Sequence, residues 1–321
     1  MRWGTALLAA ALLLAGVAGC GGDGAEPGAP IGASLVLDFT PNAVHSGIYA
    51  AQRRGYYRDV GVDLTIREPG ESTDAPKLLE AGRVDFAILD IHDLGIARER
   101  GLDLVGVTPI VQRPLASVIA GATGGEAVRR PRDLEGRTVG VTGLPSDEAV
   151  VDSEVSADGG DPALVRRVTI GFNAVSSLAA GKVDAATGFW NSEAVALRRR
   201  GIPIRVFEVD RYGAPPYPEL VMVAERETTE RDPELVDAML AASARGYELA
   251  FEHPAEALDD LLASVPGLDR ADQAAQMRVL RPILHPAPFD PAVLREWAAW
   301  DLEHGLLQRP LQVGAAFRLD R

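Results

Sequence analysis

Apolar and polar positions along the chain follow two alternating spacings. Residues 34–39, "SLVLDF", have the apolar run of a strand, and 46–61, "SGIYAAQRRGYYRDVG", continue at helical spacing. The order recurs with a strand at 62–68, a short helix at 75–84, a strand at 84–90, a helix at 91–100 and a strand at 104–110. Strands that alternate with helices predict a largely parallel sheet joined by crossovers. A charged linker in "RRPRDLEGRTVGVTG" (129–143) opens a second series. It holds the strand "TVGVTG", a helix at 147–158, a strand at 167–172, a helix at 174–183, the strand "DAATGF" and a strand at 202–210.

"LLEAGRVDFAI" and "SLAAGKVDAAT" are near copies, one in each series. They predict one supersecondary unit used once in each of two lobes, not a solenoid. After "GAPPYPELVMVAE" (213–225), which reads as a crossing back to the first lobe, helices are expected at 234–252, 255–264, 271–280 and 291–305. Trp297 and Trp300 fall on one face of the last helix and are expected to pack. The predicted class is therefore α/β and two-lobed, with parallel-rich sheets, helices on both faces and a helical C-terminal region. The expected divisions are a first lobe at 34–112, a second at 113–212, and a crossover with returning helices at 213–321.

The first residues carry a different pattern. Arg2 precedes the apolar run "ALLAAALLLAGVAG", which stops at Cys20 and gives way to "GGDGAEPGAP". A positive start, a short apolar core and small residues before a break predict an export signal over 1–20. "VAGC" resembles a bacterial lipobox, which would make Cys20 a lipid-carrying residue and 21–33 a flexible tether. The expected location is the outer face of a bacterial cytoplasmic membrane, held there by the N-terminal lipid.

Composition narrows the function. A net charge of -14 argues against nucleic acid, whose phosphates need a basic surface. Cys20 is the only cysteine, so the body holds no disulfide, cysteine nucleophile or cysteine metal centre. The histidines, at 45, 92, 253, 285 and 304, show no helical ligand spacing, and no metal site or cofactor is expected.

The stretch "LDFTPNAVHSGIYAAQRRGYY" resembles the opening of bacterial solute-binding proteins for the pyrimidine precursor of thiamine. "DLEGRTVGV", "IGFNAVSSLAAGKVDAATGFWNSE" and "PPYPELVMVA" extend the resemblance over about 35–224. It implies a periplasmic-binding-protein fold, a pyrimidine ligand trapped between the lobes, and delivery to the permease of an ABC importer driven by a cytoplasmic ATPase. Relatives on the same scaffold bind riboflavin or sulfonates, and others are pyrimidine synthases that use an iron site and a pyridoxal-bearing lysine. Lys77 and Lys182, the chain's only lysines, sit in a helix and at a helix end, which argues against the synthase reading.

A flat aminopyrimidine needs aromatic faces and a few fixed polar groups at its edge. Phe39, where the family usually has tryptophan, and Trp190 offer faces, with Tyr212 and Tyr217 at the crossing. Asn42 and Asn191 offer amides that donate and accept, and Glu193 can accept from an exocyclic amine. Ser146 and Glu148 begin a predicted helix, and Asp90 and His92 end a first-lobe strand; all four are candidates, as is His45. Plainer readings stand beside these: Phe39 as core, Asn42 or Ser146 as a helix cap, His45 as a structural histidine.

Overall fold

The computed structural model describes residues 30–70, 74–121 and 128–319. Cys20 and the predicted signal lie outside the described residues. So does most of the expected tether, whose last residues instead begin the first strand.

Two five-stranded sheets form the two lobes. The first contains β1 (Ile31–Val36), β2 (Val62–Arg67), β3 (Phe86–Asp90) and β4 (Leu104–Pro109). The second contains β5 (Ala116–Gly121), β6 (Thr138–Val141), β7 (Arg166–Thr169), β8 (Ala185–Phe189) and β9 (Ile204–Glu208). β10 (Leu220–Glu225) returns to the first sheet. The strand orders are β2-β1-β3-β10-β4 and β7-β6-β8-β5-β9, the same pattern twice. In each sheet one strand runs against its neighbours: β10 between β3 and β4, and β5 between β8 and β9.

Both antiparallel strands correct the reading from sequence, which saw no strand at 116–121 and took 213–225 for a crossing throughout. "ASVIAG" and "LVMVAE" are buried along almost their whole length. A strand covered on both faces shows no alternation to read. The helix expected over 46–61 also divides, into Ser46–Arg53 and Tyr56–Asp59. Gly55 separates them at φ 78°, a conformation that glycine adopts at little cost.

The near-copied segments occupy equivalent places. Each leads through a left-handed glycine, Gly82 or Gly181, into the middle strand of its sheet. In each the aspartate of Val-Asp ties that strand to its neighbour. Asp85 Oδ2 accepts from Ser34 N, and Asp184 Oδ2 from Thr138 N, both at 2.8 Å.

The C-terminal helix Pro233–Glu252 lies on Ser46–Arg53 of the first lobe. The contact is close: a Cβ at Gly246 would sit 2.0 Å from the Gly47 carbonyl oxygen. Trp297 and Trp300, on the helix Pro291–Glu303, are both buried, as expected. Among the described residues no helix is long and apolar enough to cross a membrane.

Candidate functional site

Parallel strands β1, β3, β6, β7 and β8 end around one cavity, and the antiparallel β5 and β10 begin there. Strand ends at such a crevice are where open α/β sheets receive ligands. The cavity encloses about 1050 Å³ counting its open mouth, ample for a small heterocycle.

The turn after β1 supplies Asp38, Phe39 and Asn42 to the wall. Asn42 Oδ1 accepts from Val44 N at 3.0 Å, so its side chain caps the short helix that follows while still lining the cavity. His45 does not reach the wall. It is fully buried behind the wall, where Nδ1 accepts from Asn42 N (3.2 Å). That acceptor role puts the ring proton on Nε2, which donates to Asp38 Oδ1 at 2.9 Å. His45 therefore aims a carboxylate at the cavity and makes no contact of its own.

The second lobe brings Ser146, Asp147, Phe172, Phe189, Asn191 and Glu193. β7 stops at Thr169, earlier than expected, which frees Gly171 and Phe172 to turn into the cavity. Phe172 meets Phe39 of the other lobe edge to face, with ring centroids 4.4 Å apart. The helix Pro145–Ala157 begins without a side-chain cap, so Ser146 is not one. Asp147 Oδ2 accepts from Thr142 N (2.5 Å) and Oγ1 (2.6 Å), which fixes its carboxylate at the wall. Glu193 Oε2 accepts from Phe189 N at 2.9 Å. Asn191 is buried, and its Oδ1 has no partner among the described residues.

Besides His45, four candidates stand away from this wall or behind it. Glu148 points outward and pairs with Arg167 at 2.6 Å. Trp190 packs on the inter-lobe crossing: Nε1 donates to Pro114 O (2.9 Å), and the Arg113 guanidinium lies 5.3 Å from its ring centroid. Tyr217 is fully buried, with its ring edge-on to His92 at 4.8 Å. Tyr212 packs against Phe207. In their place stand Asp38, Asp147 and Phe172, which the reading from sequence missed, together with Phe189, the first residue of the "FWNSE" stretch it had pointed to. A signal existed for Asp147, which stands between the two candidates Ser146 and Glu148, because a turn of about 100° per residue carries Glu148 away from the face that Ser146 and Asp147 present to the cleft.

Asp90 and His92 form part of the floor. Asp90 Oδ1 accepts from His92 N (2.8 Å), and His92 Nδ1 meets Asp301 Oδ1 at 2.7 Å. Burial alone would lower the His92 pKa, but the charges of Asp301 and Asp90 outweigh it and hold it at about 9. One ligand atom each from Asp90, His92 and Glu219 falls within 4.8 Å of the others, a grouping the histidine spacing did not foretell. The Asp90 and Glu219 carboxyls face one another within that distance, and a proton shared between them would satisfy both.

Five carboxyl groups line the cavity (Asp38, Asp90, Asp93, Asp147 and Glu193), and no lysine or arginine is among the described lining residues. Burial raises Asp147 and Glu193 above the usual carboxylate range; hydrogen bonds from Thr142 oppose it at Asp147. Burial raises Asp93 too, aided by the charge of Asp90. Such a wall suits a flat ligand rich in N–H donors and repels anions.

A family model described as "NMT1/THI5 like" matches residues 42–257. The chain is 32% identical over 293 residues to a formylaminopyrimidine-binding protein of Halalkalibacterium halodurans, covering 88% of each. It is 26% identical to a 4-amino-5-hydroxymethyl-2-methylpyrimidine phosphate synthase of Legionella pneumophila, covering 73% of this chain and 74% of the relative. Among solved structures, the alkanesulfonate-binding protein SsuA of Xanthomonas axonopodis superposes with a TM-score of 0.75 at 17% identity, over 92% of this chain and 99% of that one.

Proposed function

Because this chain belongs to the NMT1/THI5-like family and is a two-lobed solute-binding protein, we propose that its ligand is a thiamine pyrimidine precursor. Formylaminopyrimidine and hydroxymethylpyrimidine are the two forms this reading names. The observation that carries it is the cavity wall: phenylalanine faces from both lobes, carboxylates at the edge, and an Asn191 Oδ1 unpartnered among the described residues. An aminopyrimidine presents a π-face to the former and N–H donors to the latter. The relative at 32% identity is named for binding such a compound.

The reading extends to transport. A closed, loaded protein would dock on the permease of an ABC importer, and Cys20 would carry the lipid that keeps it at the membrane surface. The synthase alternative needs a lysine at the cofactor, and neither Lys77 nor Lys182 is among the lining residues. A sulfonate would meet carboxylates where it needs cations.

Thermal unfolding of the chain from residue 21 onward, against both pyrimidines, thiamine, riboflavin, taurine and nitrate, tests the ligand. A compound at 100 times its Kd adds about 2.7 kcal/mol of stability. A shift with the pyrimidines alone supports the reading. A shift with riboflavin or taurine alone leaves a solute trap and discards the pyrimidine.

A further inference from the structure

Chain passes between the lobes twice, from β4 to β5 and from β9 to β10, and Glu219 stands where the two crossings meet. Its carbonyl oxygen accepts from Ile91 N of the first lobe at 3.0 Å. Its side chain reaches the start of β5 in the second lobe, where Oε2 accepts from Leu115 N and, at 2.8 Å, from Ala116 N. The crossings are joined again nearby, where Arg113 Nε donates to Asp210 Oδ2 at 2.7 Å. Glu219 is fully buried, and its remaining oxygen, Oε1, has no partner among the described residues unless a proton is shared with Asp90. Asp90 in turn forms part of the cavity wall and pairs with Leu220 in the register of β3 and β10. One side chain thus lies within 4.8 Å of a wall residue's carboxyl and holds the backbone of the opposite lobe.

We propose that Glu219 is a positioning residue that transmits ligand contact at Asp90 to the inter-lobe crossings and so sets the balance between open and closed forms. This rests on reading the cavity as the ligand site, but Glu219 itself does not line it. A ligand that takes a hydrogen bond at Asp90 changes what Asp90 offers to Oε1. The Glu219 side chain then shifts on the Leu115 and Ala116 amides, and the second lobe moves with them.

The test uses hydrogen exchange at those amides, with formylaminopyrimidine as probe for affinity and X-ray scattering for compaction. Glu219→Ala should speed exchange at Leu115 and Ala116 and weaken the probe about tenfold, equivalent to about 1.4 kcal/mol. Glu219→Gln keeps an oxygen for the amides and should restore slow exchange and compaction. Asp90→Asn should alter exchange at the same amides in ligand-free protein, and less so when combined with Glu219→Ala, because the path is already cut. Wild-type affinity and compaction in Glu219→Ala, or Asp90→Asn effects unchanged by the second substitution, would overturn the proposal. If Glu219→Ala does not fold, the Glu219→Gln and Asp90→Asn cycle decides alone. If the probe does not bind wild-type protein, the pyrimidine reading falls, while the ligand-free exchange arm still judges the coupling.

Discussion

Asp147 and Glu148 are neighbours on one helix with opposite surroundings. Asp147 lines the cavity under two bonds from Thr142, and Glu148 pairs with Arg167 at the surface. Asp147→Asn should weaken the pyrimidine about tenfold, and Glu148→Gln should change it by less than about twofold, both read by calorimetry. Equal effects would return the site to the residue favoured from sequence. Glu154 makes a different case, because it does not line this cavity. It is fully buried, Oε1 lies 3.4 Å from Val118 N, Oε2 has no partner among the described residues, and burial raises its pKa well above the ordinary value. The folded state therefore keeps a proton that the unfolded chain has given up. The stability this proton contributes is complete below the unfolded pKa of about 4.3 and is lost as pH rises towards the folded value. Glu154→Gln does not titrate, so it should match wild type near pH 4 and exceed it at pH 7 in urea unfolding. Each unit between the two pKa values is worth about 1.4 kcal/mol.

Elements show what was legible and what was not. The alternating strands and helices, the two lobes, the repeated unit and the packed tryptophans were all readable, because each leaves a local trace in spacing or composition. β5 and β10 left none, since full burial removes the alternation and their partners lie far along the chain. For the same reason the site was half legible. The first turn and the segment after β8 could be found, but Phe172 could not, because its role depends on where β7 stops. Trp190 misled, as an indole beside a strand end looks the same whether it stacks on ligand or on Arg113. The repeat makes a prediction of its own. Asp85→Ala and Asp184→Ala remove the same bond from the two sheets, and each should cost about 1–3 kcal/mol in denaturant titrations. A loss confined to one of them would mean that the copies share a sequence but not a role.

The molecule as a whole is two lobes with aromatic rings meeting between them. Phe39 belongs to the first lobe and Phe172 to the second, and their rings touch with an interplanar angle of 72°. A flat ligand between the lobes has to replace or extend that contact, gaining ring faces in exchange for a ring edge. Stacking of this kind is worth about 1–3 kcal/mol per ring, so Phe172→Ala should weaken pyrimidine binding by roughly 5- to 140-fold. The same substitution removes an inter-lobe contact from the empty protein, whose radius of gyration in X-ray scattering should rise. Saturating ligand should still draw the lobes together, because Asp38 and Asn42 face Asp147 and Glu193 across the cavity whether or not the ring is present. A Phe172→Ala protein with unchanged affinity and unchanged radius would place Phe172 outside the trap. Weaker binding with an unchanged radius would make it a ligand contact that plays no part in holding the lobes.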